Sequence, residues 1–317
     1  MESAKNIKTK FKHYFTGSKA LFYLINTTFW NSLFGPFFVF IFPLFFILIL
    51  GNMVGYDQVL GGSFGVPSMA ISLGSFPQVI FEFKKSTLLK RIGVTPVKPS
   101  LFLLISSLYY FVAMFISIFW CILFSILVFG IQYWDQGKSL EAFSFAGQIY
   151  SFSFKQMLNN VNWASFIFGQ ILSIFTGLSI GMFLVSIGRS TVMLQTVGNT
   201  IMITSMFLAV TILSIGLVRS QETFWYLGYV LSPFKPSSNI VLDAWNGSYV
   251  GIVGNTLTFE KSSVFYWDES SYFYDLSNFT KMEVLSKAEK IVSIFLPFVW
   301  IGLFTGLSLW KFRWNVR

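Results

Sequence analysis

A chain of 317 residues in which 54% of side chains are hydrophobic and only 11% charged, with a mean hydropathy of +0.66, is too apolar for a soluble domain and belongs to the membrane class. Its net charge of +9 is spread over short pieces flanking the apolar runs rather than gathered on a domain, so the composition points to anionic lipid headgroups and away from nucleic acid. The single cysteine, Cys121, excludes an intramolecular disulfide and a cysteine metal site.

Residues 1–19 form a polar tail with five lysines, and no short apolar core with a small-residue cleavage site follows, so no removable signal peptide is expected. Over 20–32, Leu21, Leu24, Ile25 and Phe29 recur at helical spacing beside Tyr23 and Trp30, the pattern of an interfacial helix. Six charge-free runs follow or overlap it, each able to hold the roughly 20 apolar residues of a spanning helix. They predict spans over 33–52, 65–82, 101–130, 163–187, 192–217 and 291–310, and so an all-α polytopic membrane protein built as a single transmembrane domain over 1–317. The second run is the least apolar. Pro67 and Pro77 flank a serine- and glycine-containing core there, which is tolerable where neighbours satisfy the freed carbonyls.

An even number of spans puts both termini on one side. Fourteen of the twenty-two Lys and Arg residues lie in the N-terminal tail, the 82–99 segment, the 188–191 turn and the C-terminus, which assigns those pieces to the cytoplasm. The 131–162 loop and the 219–290 region then face outward. Gly137-Lys138-Ser139 in the first of these lacks the earlier glycine and the preceding strand of a phosphate-binding loop. In the second, 227–245 is apolar but broken by Pro233 and Pro236, the signature of a re-entrant or interfacial element. Beyond it, Phe265, Tyr266 and Trp267 beside Asp268 and Glu269 suit either an aromatic interface belt or a small external cap.

Chemistry is scarce in the apolar runs. They contain no carboxylate, the one histidine is His13 in the tail, and no Gly-x-Ser-x-Gly elbow occurs, so an intramembrane hydrolase is not expected and the chain is read as a non-enzyme. Polar side chains in the fourth and fifth runs, among them Gln170, Ser173, Thr176, Gln195, Asn199 and Thr200, fit helix packing by default, with Gly177-Leu-Ser-Ile-Gly181 in the same role. Gln195, Asn199 and Thr200 are also candidates to line a pathway.

The most informative stretch is Glu82-Phe-Lys-Lys-Ser-Thr-Leu-Leu-Lys-Arg-Ile-Gly-Val-Thr-Pro96, which reads as a short amphipathic helix ending at Gly93 and Pro96. Its order Glu82, Ser86-Thr87-Leu88, Arg91 and Thr95-Pro96 resembles the coupling-helix stretch of the type-2 (ABC-2) permeases of ABC exporters, with Ser86 where glycine is common in that family. Ile180 to Ser190 resembles the family's turn between the fourth and fifth spans, and Leu231-Ser-Pro-Phe-Lys-Pro236 its re-entrant segment before the sixth. The resemblance implies a coupling helix over 82–95 in which Leu88, Leu89 and Ile92 fill a groove on an ATPase, Lys84, Lys85, Lys90 and Arg91 supply orienting charge, and Glu82 and Thr87 belong to the same contact. It also implies a separate ABC ATPase that holds ATP and Mg, no cofactor bound by this chain, and a second permease as a homodimer or homologous heterodimer partner. The substrate would be a hydrophobic or amphiphilic lipid, peptide or drug. An ATPase-independent channel and a membrane assembly or interaction protein are the alternatives from other classes.

Overall fold

The computed structural model describes residues 18–54, 61–85, 99–130, 141–145, 148–152, 158–213, 218–246, 248–253, 256–275 and 280–311. The protein is mostly helical. Among the described residues, five helices are long and apolar enough to cross a membrane, or six if one sharply bent pair forms a span.

That pair comes first. Helix α1 (Ser18–Asn31) meets α2, made of Phe34–Pro36, a π-helical turn Phe37–Ile41 and Phe42–Val54, at 83°. Leu21, Ile25 and Phe29 point α1 inward while Tyr23 and Trp30 stay exposed, the sidedness expected of a helix lying at an interface. Pro43 explains the π turn. A proline cannot donate to the carbonyl four residues back, here that of Val39, and the widened turn turns this oxygen toward Ser117 Oγ, which donates to it at 2.5 Å. Trp120 Nε1 donates to the neighbouring Phe40 carbonyl at 3.3 Å. The two donors sit on α4, which comprises Pro99–Ser125 and a second π turn, Ile126–Gly130.

Between them lies α3 (Gly61–Phe83, its helix continuing to Lys85), the centre of the bundle. Every residue from 61 to 81 is buried. This accounts for its modest hydropathy, because a helix surrounded by other helices can carry serine and glycine that a lipid-facing helix avoids. Its partner is α5 (Trp163–Ile187). A side chain at Gly177 would stand 2.5 Å from Ser72 Oγ, and one at Gly181 2.6 Å from the Ser72 carbonyl, so the small-xxx-small motif seats the two backbones against each other. Ser68 and Ser173 hydroxyls meet at 2.6 Å, and Gln170 Nε2 donates to Phe64 O at 3.1 Å. Another π turn, Ile71–Ser75, precedes Pro77, and Gly198 of α6 (Thr191–Leu208) lies where a Cβ would be 2.5 Å from the carbonyl of Leu73 that the proline leaves free.

Helix α6 stops at Leu208, well before residue 217. Ala209 N bonds back to Ser205, both the amide and hydroxyl of Thr211 bond to Met206 O, and Val210 takes a left-handed φ of 59°, an outlier for a β-branched residue. The reversal passes over Gly62, where a Cβ would be only 2.3 Å from Val210 O.

Helices α7 (Glu222–Leu231) and α8 (Lys235–Asn246) form a broken pair around Ser232-Pro233-Phe234. Residues 232–245 are buried throughout. Phe234 reaches Gly177, slightly past the midpoint of α5. Ile240 packs on Gly169, and Asn162 N bonds to Ala244 O just before α5 begins. The pair therefore enters the bundle at the end where α5 starts, turns at mid-length and returns. Pro236 sits in the first turn of α8, where its missing amide would have had no helical partner.

The connections at that end carry strands, which composition and charge alone do not announce. A hairpin joins β1 (Glu141–Phe145) to β2 (Gln148–Phe152), and a four-stranded antiparallel sheet, β3 (Ser248–Val253), β4 (Thr256–Lys261), β5 (Ser271–Asp275) and β6 (Thr280–Leu285), is ordered β4-β3-β5-β6. Residue Ser248 pairs Tyr272 across the middle of the sheet, and β5 carries a bulge at Ser271/Tyr272. The last helix, α9 (Lys287–Lys311), begins two residues after β6 ends.

Candidate functional site

Three places concern function. The first is the amphipathic segment. Glu82 is exposed on α3 at the end of the bundle opposite the sheet, and Lys84 and Lys85 continue that helix. Residues Thr87, Leu88, Leu89, Lys90 and Arg91 lie outside the described residues, as does Gly137-Lys138-Ser139.

The second is the outer face of α6. Val192, Thr196, Asn199, Thr200, Ile203 and Thr204 are exposed and follow one another at three- and four-residue spacing along the helix, with Gln195 half-buried at their edge. The opposite face, Leu194, Gly198, Met202 and Ser205, is packed inside. Thr200 returns its hydroxyl to Thr196 O at 2.8 Å, so its donor is satisfied within the helix. The carboxamide of Asn199 presents two donors and an acceptor outward, a costly arrangement against hydrocarbon.

The third is the mouth of the α7–α8 pair, and here the structure brings together residues that composition and spacing did not single out. Ser286 caps α9 and accepts from Glu289 N at 3.4 Å, while Glu289 Oε2 accepts from Ser286 N at 2.8 Å, a reciprocal capping box. The other oxygen of Glu289 accepts from Arg219 Nη1 and from Trp225 Nε1, both at 2.6 Å. Arg219 also reaches Glu283 at 3.3 Å, and its guanidinium lies 4.6 Å from the centre of the Trp225 ring. Lys235, fully buried, runs past Gly228 and sets its amine 3.5 Å from the same ring centre with no hydrogen-bond acceptor.

Lys290, the next residue along α9, points elsewhere. Its ammonium donates to Ser263 O at 3.1 Å and Tyr266 O at 3.2 Å. Beside it, Asp243 of α8 accepts from Ser262 Oγ at 2.9 Å, and Ser262 meets Ser271 Oγ at 2.7 Å. Burial pushes the Asp243 carboxyl up, opposed by Lys290 and by the hydroxyls of Ser271 and Ser262. Further down, Asn239 Nδ2 donates to Tyr229 Oη at 2.6 Å, and Tyr229 approaches Ser293 at 3.4 Å. Lys235, Asn239 and Asp243 thus share one face of α8 at four-residue spacing, each linked to α7 or to the first turns of α9. Two signals in the sequence could have found this cluster: the Ser286-x-x-Glu289 box ahead of an apolar run, and that four-residue spacing inside an otherwise apolar segment.

On the outside of α7, Leu213, Gln221, Thr223, Phe224 and Leu227 line an open, mostly apolar cleft of about 500 Å³. No group of three or more metal-capable side chains occurs among the described residues. No protein-family model matches the chain, and no curated protein or solved structure matches it either.

Proposed function

We propose that this chain is the membrane-spanning permease subunit of an ATP-driven exporter of the type-2 ABC class, working with a separate ATPase and a second permease copy or homologue. In this reading the sheet end faces outward, the termini and the 82–95 segment face the cytoplasm, and the α7–α8 pair is a re-entrant element entering from the outer side. ATP and Mg belong to the partner ATPase.

The observation that carries the reading is the exposed polar stripe of α6. A helix that spans lipid does not leave the carboxamide of Asn199 facing hydrocarbon, so this face is covered by a second permease or bounds a passage that admits polar parts of a substrate. The apolar cleft beside α7 has a volume in the range of small-molecule sites and suits the hydrophobic part of an amphiphile. A broken helix pair at mid-bundle is the kind of irregular backbone that membrane proteins keep only where it is buried in protein or lines a cavity.

The test is affinity purification from native cells in mild detergent. An ATPase subunit is expected to accompany the chain stoichiometrically and to be lost when Leu88, Leu89 and Arg91 are changed to Asp. A clean preparation without ATPase, from cells expressing all native partners, overturns the permease reading and brings the channel or assembly protein forward.

A further inference from the structure

Between β4 and β5 the chain makes a tight turn whose three consecutive rings, Phe265, Tyr266 and Trp267, are 46%, 59% and 49% exposed. Three adjacent large aromatic side chains facing water on a well-formed turn would be unusual. This turn is firmly held. Tyr266 N bonds to Ser263 O at 3.1 Å and Ser263 Oγ accepts from Phe265 N at 3.2 Å. The buried ammonium of Lys290 clasps the carbonyls of Ser263 and Tyr266 from the first turn of α9. From the first turn of α5, Ser165 meets the Ser263 hydroxyl at 3.2 Å, and Asn162 Nδ2 donates to Ser262 O at 3.0 Å.

The level of the turn is fixed by Phe265, whose ring packs 5.3 Å from that of Phe168, inside the apolar helix that begins at Trp163. The rings therefore lie level with the starts of two candidate spans. The exposed apolar stripe of α9, Ile291 and Phe295, begins one residue after the lysine that holds them. Asp268 and Glu269 follow directly and are exposed.

We propose that the 264–267 turn is a membrane anchor, with the lipid surface at the sheet end as its partner. Tyr266 and Trp267 insert into the boundary between headgroups and acyl chains, where amphipathic rings are most stable, and Asp268 and Glu269 stay in water. The sheet is thereby seated on the bilayer through one rigid point fixed to both α5 and α9. The inference requires only that the chain spans a membrane and does not depend on the exporter reading.

The experiment places a nitroxide spin label at Trp267→Cys or Glu269→Cys, each with Cys121→Ala, in nanodiscs of phosphatidylcholine and phosphatidylglycerol. Collisions with oxygen, which partitions into lipid, are compared with collisions with a water-soluble nickel chelate. Oxygen is expected to dominate at 267 and the chelate at 269, a reversal over two residues, and Lys290→Met is expected to abolish the contrast. Chelate access at both positions overturns the proposal. So does a label at 267 reached by neither agent, which would mean that protein, such as a second copy, covers the turn. Both label sites are exposed, and quenching of wild type against Trp267→Phe by acyl-brominated lipid gives an independent reading, with the Phe variant expected to lose a quenchable component.

Discussion

At the scale of single residues, the buried amine of Lys235 is the most consequential group. It lies on the Trp225 ring without an acceptor, and as a neutral amine it makes an N–H···π contact, as an ammonium a cation–π contact. Lys235→Met keeps most of the length and removes the amine. We expect the variant to be more stable by about 1–3 kcal/mol, the usual cost of a buried unsatisfied polar group. Thermal unfolding of both proteins in detergent reads this as a higher midpoint for the variant, and a lower midpoint would show that the contact with Trp225 outweighs that cost. The lysine stands in plain view in the sequence, but its burial does not. Only the return path of α8 past Gly228 puts its amine out of reach of water.

At the scale of elements, helices were legible where lipid dictates composition. The run at 163–187 is bounded as Trp163–Ile187, with Asn162 capping its start. Less legible were the places where protein replaces lipid as the surroundings. Helix α3 looks weak because its low hydropathy reflects complete burial, and α6 ends early because the backbone must reverse over Gly62. The strands were hidden for another reason. Gly254-Asn255 between Ile252-Val253 and Thr256-Leu257 is a hairpin signal, yet in so apolar and aromatic a chain the alternation around it resembles an interface belt.

The glycine motif allows a sharp test of how α3 and α5 meet. Gly177→Ala drives a methyl into the Ser72 side chain, whereas Gly181→Ala drives one into the Ser72 backbone carbonyl. Each should cost about 1–3 kcal/mol, the scale of overpacking, despite the better helix propensity of alanine. Adding Ser72→Gly should rescue the first and leave the second unrescued, since only the first clash is with atoms that the second mutation removes. Equal rescue, or none for either, in thermal melts of the wild type, the three single variants and the two double variants would show that the helices do not meet at these points.

For the whole molecule, the question is what covers α6. If a second copy of this chain packs against the stripe, Asn199→Cys in a Cys121→Ala background should form an intermolecular disulfide when membranes are oxidised, giving a band at twice the chain mass on non-reducing gels. Val192→Cys, at the start of the same stripe, should cross-link with a different efficiency if the two copies diverge along the helix. Absence of any dimer band at either position would mean that another polypeptide or a water-filled passage occupies this face. The described residues carry the geometry of the stripe, while residues 86–95 of the 82–95 segment, on which partner recognition is proposed to depend, lie outside them, so that segment was legible in the sequence alone and the cluster at the sheet end in the structure.

The junction between β6 and α9 leaves no slack. Leu285 ends the strand, Ser286 is already the helix cap, and Glu289 and Lys290 then reach in different directions to grip Arg219 and the aromatic turn. One extra residue at this point would rotate the helix by roughly 100° and take both grips away at once. Rotation or tilt of the last helix must therefore be transmitted to the sheet as through a welded crank, and a reporter attached to the sheet would read out the helix's movement from the far side of the bundle.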